Sequence, residues 1–106
     1  MPMTPGQRWS AIAQSELGAP GVTGGTGFGR SEGLRLRGKI FAMLVRDELV
    51  VKLPKDRVDE LVASGVAQRF DAGRGRPMKE WASVSVAASR RWPRLVKDAK
   101  TFVSSG

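Results

Sequence analysis

The side chains that most enzymes use for chemistry are scarce in this sequence. It contains no histidine and no cysteine, which removes the usual ligands of zinc and the usual base that activates a serine. Folding could bring together some of the acids at Glu32, Asp47, Glu48, Asp71 and Glu80, but none of them has the spacing of a calcium-binding loop. We therefore predict a protein that is not an enzyme and that holds neither a metal nor a cofactor.

Two glycine-rich segments approach known phosphate-binding motifs, and each lacks a required residue. Residues 33–39 match the first seven positions of a P-loop, but Ile40 stands where a hydroxyl must bind magnesium. The glycines of segment 24–29 lack the last glycine of a dinucleotide-binding turn, because Arg30 or Glu32 occupies its position. We interpret segment 24–29 as flexible chain or tight sheet packing, with an anion-binding nest as the alternative.

Positive charge supplies one binding hypothesis. The chain has 18 Lys and Arg against 10 Asp and Glu, a net charge of +8 that attracts acidic partners. Nine basic and three acidic residues lie within 69–100. These cations could form one continuous patch for phosphates, and a merely solvated face is the alternative. The predicted polyanion-binding residues are Arg74, Arg76, Lys79, Arg90, Arg94, Lys97 and Lys100.

The tryptophans separate into two groups. Trp9 and Trp92 lie on apolar helix faces, so we predict that both belong to the core. Trp81 shares one face of a predicted strand with Lys79 and two serines. We therefore predict Trp81 as a candidate interface or stacking residue, with burial under a helix as the alternative.

Apolar spacing predicts the elements that position these side chains. A Thr4-x-x-Gln7 capping box begins a first helix, and the apolar face of that helix includes Trp9, Ile12, Ala13 and Leu17. The closing helix has an apolar stripe that runs from Trp92 to Phe102 and Val103. Between these helices we predict a helix over 56–65 and strands over 34–37, 40–45, 49–53, 67–71 and 77–86.

This order, α-β-β-β-α-β-β-α, predicts an α+β fold in which one helical layer packs on a mainly antiparallel five-stranded sheet. We predict a single domain over residues 1–106. The longest apolar run, residues 40–45, is too short to cross a membrane, and the lack of cysteine favours a reducing cytoplasm.

Several of these segments resemble the TfoX N-terminal-domain family, and more distantly the YjbR/MmcQ proteins. The likeness includes Gly-Lys-Ile-Phe-Ala-Met-Leu at 38–44, Val-Val-Lys-Leu-Pro at 50–54, Pro-Met-Lys-Glu-Trp at 77–81 and the closing helix. The family's usual Met-Phe-Gly-Gly appears here as Thr-Gly-Phe-Gly at 26–29. The resemblance implies the same element order and no cofactor. TfoX-like proteins are associated with the regulation of natural competence.

We therefore predict a non-catalytic regulatory or protein-interaction module whose protein partner the sequence does not identify. The alternative is a nucleic-acid-binding protein that uses the basic C-terminal patch. A sheet with one uncovered face also predicts a homodimer, because a second copy could bury that face.

Overall fold

A six-stranded antiparallel sheet carries three α-helices in this computed structural model, which describes residues 4–24, 32–70 and 79–105. The strand order is β1-β2-β3-β4-β6-β5, so β6 lies between β4 and β5. The strands are β1 Val22–Gly24, β2 Glu32–Leu36, β3 Lys39–Val45, β4 Glu48–Lys52, β5 Ala67–Arg69 and β6 Trp81–Val84. The helices are α1 Pro5–Leu17, α2 Lys55–Ala63, a 3-10 helix Val86–Arg91 and α3 Trp92–Ser105.

The predicted α+β class is confirmed, whereas the predicted number of five strands is wrong. The extra strand is β1, which pairs antiparallel with β2. None of the predicted strands includes residues 22–24, because three residues that include a glycine cannot display an alternating pattern. Pairing with β2 nevertheless satisfies the backbone groups along this edge of the sheet.

Local sequence explains how α1 begins and how the first hairpin turns. The Thr4 hydroxyl accepts a hydrogen bond from the Gln7 backbone N–H, and the Gln7 side chain accepts one from the Thr4 backbone N–H. This geometry confirms the predicted capping box. Arg37 and Gly38 both have positive φ, 52° and 85°, and they turn β2 into β3 in two residues. Such tight hairpins match the twist of the strands that they join.

The core forms where the helices meet one face of the sheet. Trp92 and Val96 of α3 and Trp9 of α1 join Leu34, Phe41 and other strand residues in one buried cluster. In β4, Leu49 and Val51 belong to this cluster, so the intervening Val50 lies on the opposite face, where it is also fully buried. Val50 is buried by residues of its own chain, so its burial needs no second copy, and homodimerisation stays a prediction.

Three side chains differ from their predicted burial. Leu17, expected on the apolar face of α1, is 45% exposed, and its neighbour Glu16 is buried instead. Val86 follows Ala82 and Val84 at the alternating spacing of the predicted strand over 77–86, but it is 40% exposed because the chain enters the 3-10 helix there. Phe102 belongs to the apolar stripe of α3 but is only half-buried, because it lies at the rim of a groove. α3 begins at Trp92, which places Pro93 in its first turn, where proline is tolerated.

Candidate functional site

Lysine side chains surround Trp81 in an open cleft of about 620 Å³ at the start of β6. Lys52 of β4 is the register partner of Trp81, and its Nζ lies 5.9 Å from the centre of the indole ring, a cation–π distance. The cleft, which we call the Trp81 cleft, is lined by Lys52, Lys55, Lys79, Glu80 and Trp81. It therefore combines three cations and one acid with an aromatic surface.

Trp81 differs from the other tryptophans in its exposure. Trp9 and Trp92 are 3% and 0% exposed, which confirms their prediction as core residues. Trp81 is half-buried. Ala82 and Val84 of β6 face the helices, and the side chain of Trp81 lies on the other face of the sheet. An amphipathic ring at the mouth of a basic cleft is suited to contact a partner.

A neighbouring ion-pair cluster fixes Lys55 at one wall of the cleft. Lys55 Nζ donates to Asp59 Oδ2 at 2.8 Å, and the Arg69 guanidinium also donates to Asp59. Hydrogen bonding to Asp59 raises the pKa of Lys55, and bonding to Lys55 and Arg69 lowers the pKa of Asp59. Both groups are therefore charged at neutral pH, and the side chain of Lys55 stays 56% exposed.

Two of the predicted cations on α3 contact a buried acid. Lys100 Nζ donates to Glu16 Oε1 at 2.6 Å, and Lys97 Nζ lies 3.7 Å from Glu16 Oε2. The Glu16 side chain is only 4% exposed, so its charge must be compensated locally. Lys97 remains 61% exposed, whereas Lys100 is 27% exposed. Lys97 and Lys100 therefore both contact one acid of the same chain, which reduces the positive charge that they offer to a ligand.

On the other flank of α3, a second acid bridges two arginines. Arg94 Nε lies 3.1 Å from Asp98 Oδ1, and Arg57 Nη2 lies 3.5 Å from Asp98 Oδ2. The Arg94 side chain is 81% exposed. This acid is half-buried beside an open groove, whereas the Glu16 side chain is almost fully buried.

The structure brings together some of the predicted polyanion-binding residues and separates others. Lys79 lies beside Trp81 ahead of β6, whereas Arg90 follows β6 at the end of the 3-10 helix. Arg94 and Lys97 are exposed on α3, where they contact different acids. Arg74 and Arg76 lie outside the described residues. Binding of a polyanion by these side chains stays a prediction.

The two glycine-rich motifs have different outcomes. Residues 33–39 run along β2, through the Arg37-Gly38 turn and into β3, so this segment forms a hairpin instead of a phosphate-binding loop. Residues 25–31 lie outside the described residues, so the role of segment 24–29 stays open. Within ranges 4–24, 32–70 and 79–105, no group of three or more acids is placed to hold a metal ion.

Lys52 and Lys55 are not among the site residues that were predicted from the sequence. They are separated from Trp81 by more than twenty residues, and only the pairing of β4 with β6 brings them together. The signal that could have found Lys52 is its outward position at the end of an alternating strand. Glu16 was missed because it interrupts an apolar helix face, and its lysine partners are far away in the chain.

Comparisons with protein-family models, with curated proteins and with solved structures find no match for this chain. The likeness to the TfoX N-terminal domain therefore stays a prediction that rests on the sequence segments given above. No helix in the described part of the chain has the length and apolar character needed to span a lipid bilayer.

Proposed function

We propose that this protein is a non-catalytic regulatory or protein-interaction module that docks an acidic segment of a partner protein in the Trp81 cleft. The observation that carries the proposal is the convergence of Lys52, Lys55 and Lys79 around a half-buried tryptophan. Tryptophan is enriched among the residues that dominate binding energy at protein interfaces. Lysines around such an anchor favour acidic partners and exclude basic ones.

Two further features support a partner protein. The pairing of β4 with β6 fixes Lys52 opposite Trp81, and residues on strands hold a site more rigidly than residues on loops do. The side chain of Lys55 is 56% exposed although it pairs with Asp59, so a ligand can reach it. A regulatory role is also what the likeness to the TfoX N-terminal domain implies.

Tryptophan fluorescence can test this docking site, because the other two tryptophans are buried. A short polyglutamate peptide, added at physiological ionic strength, should protect Trp81 from acrylamide quenching. Lys79→Glu should weaken the peptide's affinity several-fold, since it reverses one charge of the cleft. The matched control is Arg90→Glu, which makes the same charge change at an exposed position beyond the other end of β6. An equal loss in both variants would show that only net charge matters and would contradict the docking site.

Nucleic-acid binding is the second candidate, favoured by the exposure of Arg90, Arg94 and Lys97 along the closing helical region. Replacement of all three by Glu should abolish binding of duplex DNA. The logarithm of the affinity should fall with log salt by about 0.9 for each phosphate contacted. Affinity no tighter than the non-specific range of roughly 10⁻⁴ to 10⁻⁶ M at physiological salt would eliminate this candidate.

A further inference from the structure

A second open groove, of about 550 Å³, lies between α3 and the corner where β4 leads into α2. Its volume lies within the usual range for small-ligand sites, roughly 300 to 1,000 Å³. The Trp81 cleft uses Lys52 and Lys55 from the same corner, but the groove has a different set of side chains. The α2–α3 groove is lined by Leu53, Pro54, Arg57, Arg94, Asp98, Thr101 and Phe102.

The groove has an apolar floor. Leu53 is 1% exposed and belongs to the main core, so it gives the floor a fixed position. Phe102 and Pro54 extend this apolar surface toward solvent. Phe102 is the one member of the α3 stripe from Trp92 to Val103 that the core leaves half-buried. Part of its ring therefore remains available to an apolar group of a ligand.

The rim of the groove has two guanidinium groups that converge from different helices. Arg57 and Arg94 each contact Asp98 through one nitrogen, at 3.5 Å and 3.1 Å. A guanidinium has five N–H donors in a planar fork, so one contact leaves donors that can engage a second carboxylate. The side chains of Arg57 and Arg94 are 42% and 81% exposed, so a ligand can reach them.

We propose that the α2–α3 groove binds the C-terminal residue of a partner polypeptide. The terminal carboxylate accepts hydrogen bonds from the Arg57 and Arg94 nitrogens that do not contact Asp98, and the apolar side chain of the same residue packs on Phe102 and Pro54. A chain terminus carries both groups on one Cα, which matches a groove that places two guanidinium groups beside an apolar floor. This inference does not depend on the Trp81 cleft as a docking site.

The probe is a short Gly-Ser peptide that ends in phenylalanine, prepared once as the free acid and once as the carboxamide. Calorimetry should detect binding of the acid, and binding of the amide should be at least about tenfold weaker, because the charged hydrogen bonds are lost. Arg94→Gln should weaken the affinity for the free-acid peptide by a similar factor. Asp98→Asn should increase that affinity, since a competing carboxylate is removed.

The control variants separate this groove from its surroundings. Arg90→Gln, outside the groove and exposed, should leave the peptide's affinity unchanged. Trp81→Ala should also leave it unchanged, while it removes polyglutamate binding, so the two proposals can fail separately. Circular dichroism should show that each variant is folded. Equal binding of acid and amide, unchanged binding in Arg94→Gln, or no binding of the acid at millimolar concentration would overturn the proposal.

Discussion

On each flank of α3 one acid contacts two cations, and the two acids differ in how deeply they are buried. Toward α1, Glu16 is 4% exposed and contacts Lys97 and Lys100. Toward α2, Asp98 is 29% exposed and contacts Arg57 and Arg94. Both acids bridge two cations, yet Glu16 is almost fully buried and Asp98 is partly exposed beside the α2–α3 groove.

The contrast shows that burial, rather than the number of ion pairs, decides what such a bridge contributes. An exposed pair contributes only about 0 to 1 kcal/mol, because water already solvates both charges. A buried acid that loses its partner keeps the full cost of its desolvation. The flank toward α1 should therefore govern stability, while the flank toward α2 remains available for binding.

Among variants on the two flanks of α3, the largest expected effect comes from Lys100→Met. The variant leaves the buried Glu16 carboxylate with only the longer contact to Lys97, which should lower the free energy of unfolding by about 3 kcal/mol. Urea denaturation measures this change. A matched double variant, Glu16→Leu with Lys100→Met, removes the buried charge as well and should recover most of the loss. If the single variant is as stable as the parent protein, burial does not control the contribution of this bridge.

An intermediate effect is expected at Phe102. Because its ring is half-buried, Phe102→Ala should cost about 2 kcal/mol, less than the roughly 3 to 5 kcal/mol of a fully buried phenylalanine. Trp92→Ala is the comparison, since Trp92 is 0% exposed and its Nε1 donates to the Ser85 carbonyl at 3.2 Å. The fall in melting temperature should be clearly larger for Trp92→Ala. Equal falls would mean that the groove flank is as tightly packed as the core.

The smallest effect is expected at the exposed pair of Lys55 and Asp59. The pKa of Asp59 is below its ordinary value of 3.8, so its stabilising contribution is complete above pH 3.8 and fades as the pH falls through the lowered pKa. The pKa of Lys55 is above 10.5, so its contribution is lost only as the pH rises beyond that value. The melting temperatures of the parent and Asp59→Asn should differ slightly at pH 7 and converge as the pH falls through the lowered pKa of Asp59. A constant difference across that range would contradict this assignment.

Features that depend on neighbouring residues could be predicted from the sequence. The Thr4 capping box, the alternation of Leu34 and Leu36 in β2, and the start of α3 near Pro93 are all local patterns. Their outcome is set within a few residues, by capping hydrogen bonds, by strand pleating and by the fixed φ of proline. The α+β class follows from the order of such patterns.

Features that depend on distant contacts could not be predicted. Lys100, 84 residues later in the chain, donates a hydrogen bond to Glu16 and compensates its buried charge. No local sequence pattern indicates this contact. The Trp81 cleft requires the register that sets Lys52 opposite Trp81. The count of basic residues in 69–100 overstates the positive charge that α3 offers to a ligand, because Lys97 and Lys100 both contact the buried Glu16.

The position of β6 between β4 and β5 has a consequence for the order of folding. Strands β2, β3 and β4 are joined by short turns, so they pair with little loss of chain entropy. Strand β6 must close a loop of nearly thirty residues before it reaches β4, and α3, which packs mainly on β3 and β4, follows β6 in the chain. We expect pulse-labelled hydrogen exchange during refolding to protect the β2–β3 amides before the β4–β6 amides. During synthesis on the ribosome, the apolar face of strands β2, β3 and β4 would be exposed until α3 has been made. Chaperones could bind the nascent chain in that interval.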